Sequence, residues 1–215
     1  MKQQEKTKRT QERILAAAIA EFGTKSYEAA SVNNICSESG LSKGLLYHNF
    51  KSKDELYLRC VKICYDKMTE YLKGEELDLT DAHRSLEKLL SRRQKFLEEY
   101  PHYGCIFFNT ILQPPAHLSD AIHTMRKEFD EFHAECYRSL LQHLLLREGI
   151  TADKALKYFS IFQEMFNGYF QREAAKGNDY QTLIEDHEGM LSGLLDIILY
   201  GIASPAGAPT AKERN

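Results

Sequence analysis

Apolar residues recur at three- and four-residue spacing along almost the whole chain, and alternation with a period of two is nowhere sustained. Ile14, Leu15, Ala18, Ile19 and Phe22 predict a first amphipathic helix. Ser31 can cap a short second helix that carries Val32 and Ile35 and closes at Gly40. Ser42 can cap a third, through about His48. Ser52 and Glu55 have the spacing of a capping box and open a fourth, which runs to about Leu72 before a break at Gly74. Longer helices follow over residues 80–100, stopped by Pro101, and up to about 112, stopped by Pro114-Pro115. A long helix is expected over 119–147, ended by Gly149. Thr151 caps the next, which ends near Gly177, and the last covers about 180–202. About nine helices without a strand predict an all-α fold. The tail ASPAGAPTAKERN, residues 203–215, has the composition of a disordered terminus.

Within this pattern, residues 31–50 are the informative stretch. Two short helices meet at SGLS, where Gly40 can take the left-handed conformation of a tight bend. Val32, Ile35, Leu41, Leu46 and Phe50 are spaced to face inward, which leaves Lys43, Gly44, Leu45, Tyr47 and His48 for the outer surface. This is the arrangement of a helix-turn-helix whose second helix enters the major groove of DNA. Charge agrees with it. Residues 1–53 hold nine Lys or Arg against five Glu, whereas the remainder holds 19 basic against 26 acidic residues, within an overall charge of −3. A basic head on an acidic body suggests that only the head meets a polyanion.

The segments "RILAAAIAEF", "SVNNICSESGLSKGLLYHNF" and "KSKDEL", between about Thr10 and Leu58, resemble the TetR-type transcriptional regulators in order and spacing. The resemblance implies an N-terminal three-helix DNA-binding domain over 1–53, a connecting helix over 54–75 and a larger helical ligand-binding and dimerisation domain over 76–202. It also implies a role for each matching position. Ser31 contacts phosphate through its hydroxyl and the helix N-terminus, with Ser42 at the start of the next helix. Lys43 and Gly44 form the groove-facing start of the recognition helix; Gly44 lets the backbone approach, and Lys43 reaches a guanine edge or a phosphate. Leu45 offers a thymine-methyl contact or none. Tyr47 and His48 contact the DNA backbone, and Lys53 matches the family's phosphate-binding lysine. Tyr47 as half-buried core and His48 as a solvated helix end remain the alternatives, and Lys51 reads as ordinary surface charge. Two departures stand out: Ser26 occupies a place where members usually carry glycine, with Gly23 earlier, so the first helix can end sooner. Cys36 and Ser39 replace alanines common in the second helix.

In the body, YFSIFQEMFNGYF over 158–170 is apolar on more than one face, as is the last helix with Leu183, Ile184, Met190, Leu191, Leu194, Leu195 and Ile198. Gly189 and Gly193 allow another helix to approach. Such helices are either intramolecular core or shared with a partner. The resemblance implies the second, a homodimer through the last two long helices on a roughly palindromic double-stranded operator. Tyr103, Phe107, Phe108, Tyr137, Phe162 and Phe166, with Met125, Phe132, Met165 and Tyr169, can line an apolar cavity, and His133, Gln163 and Asn109 can supply polar anchors. No obligate counter-ion stands out, which favours a neutral or apolar small-molecule effector of unknown identity. Through the resemblance, effector binding shifts the dimer away from its DNA-binding form, usually as derepression.

Other functions are weighed against this. No phosphate-cradling glycine loop, GxSxG elbow or HExxH pair is present, so an enzyme is not expected, and no cofactor or metal. Control by a protein partner, or by thiol or metal chemistry at Cys60/Cys64 or His133/Cys136, is the alternative to a small organic ligand. The five cysteines include no close CxxC pair and fit reduced thiols in the cytoplasm. No apolar run of about 18 residues and no secretory signal are seen, so no membrane partner is expected.

Overall fold

A computed structural model of the chain describes residues 2–74 and 81–202. The expected disordered tail at 203–215 lies outside the described residues. Ten α-helices are found among them: α1 (Lys2–Phe22), α2 (Val32–Ser39), α3 (Lys43–Asn49), α4 (Lys53–Lys73), α5 (Ala82–Glu99), α6 (Pro101–Leu112), α7 (Ser119–Met125), α8 (Lys127–Leu141), α9 (Ala152–Ala175) and α10 (Tyr180–Ile202), with a 3-10 turn at Ala116–Leu118. The fold is all-α, as the periodicity predicts.

The count exceeds nine because residues 119–147 are not one helix. α7 closes at Arg126, whose N–H reaches the carbonyls of Ile122 and Thr124. α8 stops at Leu141, and Leu144 and Leu146 fold back onto a cluster of Tyr137, Leu141 and Ala155. Burying these leucines there outweighs two more turns of helix. The other boundaries follow local chemistry. Ser31, Ser42 and Thr151 each accept a backbone N–H of the first turn of their helix, and Gly40 closes α2 at φ +64°. α1 ends at Phe22, sooner than the family's usual glycine position. A Cβ on Gly23 would lie 2.5 Å from the Cβ of His102, so only glycine lets the first turn of α6 lie against it.

The chain divides into two compact units, Met1–Tyr71 with Gln94–Phe129, and Leu72–Arg93 with Asp130–Asn215. In the first, Ile14, Ala18 and Phe22 pack with Ile35, Leu46 and Phe50 under the helix-turn-helix. Tyr57, Cys60, Val61, Cys64 and Tyr65 of α4 continue this core with Ile106, Phe107 and Phe108 of α6. Two buried polar pairs lie there: the Tyr65 and Thr110 hydroxyls share a 2.7 Å hydrogen bond, and Asn109 Nδ2 donates to the Lys25 carbonyl. In the second unit, α9 and α10 pack on each other, with Phe166, Phe170, Leu183, Leu191 and Leu195 buried.

Candidate DNA-binding surface and cavity

The helix-turn-helix is held by contacts that leave its outer surface unused. Ile35, Leu46 and Phe50 are buried, while Val32 and Leu41 are half-buried. Glu21 ties α1 to the start of α2. Its carboxylate accepts from the Ser31 N–H at 2.8 Å, from Asn34 and from Lys25. Burial pushes the Glu21 pKa up, but these donors more than offset it and hold it below its ordinary value. Arg13 Nη2 donates to the Ser39 carbonyl at 2.6 Å, fixing the end of α2.

On this frame Ser42, Lys43, Gly44, Leu45, Tyr47 and His48 all lie exposed on or beside α3, with Leu45 38% and Tyr47 46% accessible. Tyr47 is therefore not core. Gly44 is equally telling. Its φ is not positive, and a Cβ built there would meet only the Ser42 hydroxyl, at 3.9 Å. Nothing inside the protein requires glycine at this position. Ser31 is half-buried, and its hydroxyl oxygen accepts the Asn33 N–H, which leaves its own proton free to donate outward.

Lys53 stands at the first turn of α4, its ammonium 4.4 Å from the centroid of the Tyr27 ring. Tyr27 in turn donates a short hydrogen bond to Asp54, which also lies 3.5 Å from His117 Nε2. The Tyr27 hydrogen bond is the main cause holding the Asp54 pKa below its ordinary value; burial and Asp54 push the Tyr27 hydroxyl up. Lys51 contributes its backbone N–H to Glu55, which closes the cap begun when Ser52 Oγ accepts the Glu55 N–H. Tyr27 was not singled out by sequence reasoning, because its partner Asp54 lies 27 residues away.

The second unit encloses a cavity of about 60 Å³. Leu86, Leu89, Leu90 and Arg93 of α5 form one wall, and His133, Cys136 and Tyr137 of α8 another. Phe159, Phe162, Gln163 and Phe166 of α9 and Leu191 and Leu195 of α10 complete it. Of the residues expected to line a cavity, His133, Tyr137, Phe162, Gln163 and Phe166 come together here. Tyr103, Phe107 and Phe108 do not. α6 is apolar on nearly all sides and sinks into the core of the first unit, where Phe107 meets Tyr65 and Phe129 and Tyr103 stacks on Phe96. Asn109 is bound to Lys25 in that same core. Met125 lines an open cleft of about 670 Å³ in the first unit with Leu15, Phe50 and Arg59. Phe132 is half-buried beside Lys73, while Met165 and Tyr169 are exposed.

Arg93, like Leu86, Leu89, Leu90, Phe159, Leu191 and Leu195, is a lining residue that the sequence reading did not include, and it is a charge where none was expected. Its Nη2 donates to Glu188 at 2.5 Å. Glu188 lies 3.0 Å from His187 Nδ1, and His187 Nε2 is 3.3 Å from Asn167 Oδ1, so a buried polar chain links α5, α10 and α9. Burial pushes the Glu188 pKa up, but Arg93 and His187 outweigh it and hold the carboxyl below its ordinary value. The signal was in the register: Arg93 is seven residues after Leu86 and three after Leu90, on the apolar stripe of α5.

Two further features bear on the expectations. Tyr158, Ile161, Met165 and Tyr169 of α9 and Met190, Ile197 and Tyr200 of α10 are exposed, Met165 and Ile197 each by 67%. A Cβ on Gly189 or Gly193 would meet nothing within 4 Å. Cys60 and Cys64 are fully buried, and desolvation pushes the Cys60 thiol up to about 12, away from the reactive thiolate; the Cys64 thiol, likewise raised, donates to the Tyr103 carbonyl. No group of three or more His, Cys, Asp or Glu able to hold a metal occurs among the described residues, nor does a helix long and apolar enough to cross a membrane.

Residues 14–60 match the family of bacterial regulatory proteins described as the tetR family. The transposon Tn10 TetC protein of Escherichia coli is 32% identical over 87 residues, 40% of this chain and 44% of that protein. The HTH-type transcriptional activator FasR of Mycolicibacterium smegmatis is 30% identical over 103 residues, 47% of either chain. The chain thus spans less than half the length of these curated relatives. The transcriptional regulator FadR of Bacillus subtilis, solved in complex with stearoyl-CoA, shares the fold at a TM-score of 0.58. Its identity is 17%, over 88% of this chain and 98% of that one.

Proposed function

Since the chain belongs to the TetR family of helix-turn-helix regulators, we propose that it is a homodimeric repressor released from a roughly palindromic operator by a small, largely apolar effector. It is a regulator and not an enzyme. Residues 1–53 bind DNA, 54–75 connect, and 76–202 bind the effector and the second copy, in the cytoplasm.

Gly44 carries the DNA-binding reading. A glycine that the fold does not need, set among exposed Lys43, Leu45, Tyr47 and His48, serves a surface that approaches something closely. Lys43 and Leu45 meet base edges, whereas Ser31, Ser42, Tyr47, His48 and Lys53 meet phosphates. The exposed apolar stripes of α9 and α10 support the dimer, because a monomer gains nothing by leaving them in water. FadR, of the same fold, is solved in complex with stearoyl-CoA, whose long acyl chain supports an effector with an apolar part. His133, Tyr137, Phe162, Gln163 and Phe166 are the residues of that site; Tyr103, Phe107 and Phe108 leave it. The effector acts by favouring a dimer with lower operator affinity.

A salt-dependent mobility-shift assay on the DNA upstream of the protein's own gene tests this reading. Lys43→Ala and Tyr47→Ala weaken specific binding there by about tenfold or more, without changing the melting temperature. Unaltered affinity in both variants would remove the surface assignment.

A further inference from the structure

The cavity of the second unit carries information about what it accepts. Among the described residues, three buried side-chain polar atoms have no hydrogen-bond partner: Tyr57 Oη, Arg93 Nε and Tyr137 Oη. Two of the three belong to residues that line this one cavity. Arg93 Nε–H can only donate, and a tyrosine hydroxyl donates readily. Buried polar groups in native proteins are nearly always satisfied, so a pair of orphans on residues lining one cavity calls for an acceptor. The charge is already balanced, however, because Arg93 is paired with Glu188 at 2.5 Å. A carboxylate ligand would bring a second negative charge into a largely apolar enclosure that no further lysine or arginine lines. Apart from His133, Cys136 and Gln163, the remaining lining is leucine and aromatic: Tyr137 stacks on Phe159 at 4.3 Å and 14°, and Phe162 on Phe166 at 11°.

Resting on the effector reading above, we propose that this cavity binds a neutral compound with a flat apolar body and a single acceptor oxygen, such as an aromatic ketone, which takes hydrogen bonds from Arg93 Nε–H and Tyr137 Oη–H. The cavity of about 60 Å³ is smaller than the roughly 150 Å³ that admits benzene. A ring therefore enters as half-buried wall side chains such as Leu86, Leu90 and Phe162 turn aside, and binding and opening are one event.

Three probes of one size test this on the full chain by calorimetry: acetophenone, ethylbenzene and benzoate. Acetophenone binds on the order of tenfold more tightly than ethylbenzene, as one buried hydrogen bond contributes, and benzoate more weakly than acetophenone. Tyr137→Phe removes only the hydroxyl, so it lowers the preference for acetophenone to what the Arg93 Nε–H donor supplies and leaves ethylbenzene affinity unchanged. The proposal is overturned by equal affinity for acetophenone and ethylbenzene, by preference for benzoate, or by a preference that is undiminished in Tyr137→Phe. Binding of no probe up to its solubility limit, or an ordered water joining both donors in a crystal soaked with acetophenone, overturns it too. The shift assay on the same samples separates this from the broader reading. Intact operator binding without the acetophenone preference removes only the ligand class. Acetophenone binding that leaves operator affinity unaltered keeps the ligand class and removes the effector role.

Discussion

The outer surface of α3 and the wall of the cavity are both candidate binding surfaces, yet they are built on opposite principles. On α3 the side chains at stake have no internal duty: Gly44 meets nothing closer than 3.9 Å, and Lys43, Tyr47 and His48 project from a helix whose other side holds the core. In the cavity wall, Arg93 is bound to Glu188, Glu188 to His187 and His187 to Asn167, so its residues also hold three helices together. Recognition and stability are separable on the first surface and coupled on the second. A protein that has to change shape when one surface is occupied benefits from placing the structural bonds there.

The contrast is broken most severely at Glu188. Replacing it by alanine leaves Arg93, only 11% exposed, as a buried charge without its carboxylate, and urea unfolding then shows a loss of about 3–5 kcal/mol. A similar loss for Lys43→Ala would erase the distinction between the surfaces. Next in size is Met165→Glu, a charge in the middle of the exposed α9 stripe. It shifts the proposed dimer toward monomer by on the order of 2 kcal/mol, read by sedimentation against protein concentration, with little effect on the folding of either unit. Smaller again is Gly44→Ala. It leaves thermal stability within about 0.5 kcal/mol, or raises it slightly as helical glycine gives way, and weakens operator binding by about 1 kcal/mol or more. An alanine that binds as well as glycine would mean that the backbone does not approach DNA there.

The smallest effect is one of pH. The folded Glu188 carboxyl lies below its ordinary value of 4.5, so the folded state favours the ionised form. Its contribution is present in full above the unfolded pKa and disappears as pH falls through the folded one. Wild-type stability therefore drops more steeply than that of Glu188→Gln as pH falls from about 5 toward 3. Parallel pH profiles would show that Glu188 is not tied to Arg93 in solution.

How much could be read in advance follows the same division. The helix-turn-helix is written in local chemistry: Ser31, Ser42 and Gly40 act within four residues of themselves, and Ser52 with Glu55 does so too. Its exposed residues could be found by subtracting the apolar stripe. The cavity depends on which distant segments meet. Nothing local distinguishes Phe107 and Phe108, which enter the first unit's core, from Phe162 and Phe166, which line the cavity of the second. The break near Arg126 has no glycine or proline to announce it, and there the guanidinium lies 6.0 Å from the Tyr65 ring, 61 residues back in the chain. Arg93 was readable in principle, as a charge on an apolar stripe, and its partner Glu188 was not.

Lys53 offers a last consequence. A lysine on an open surface samples many rotamers and surrenders most of that freedom when it grips a phosphate, about 1.5–2 kcal/mol for a long side chain. Here the Tyr27 ring, itself anchored by Asp54, already confines the ammonium 4.4 Å above its face. The entropic cost of fixing this side chain is met in part before any DNA arrives. In the proposed complex with DNA, the protein thus offers at the start of α4 a cation already confined by its own tyrosine.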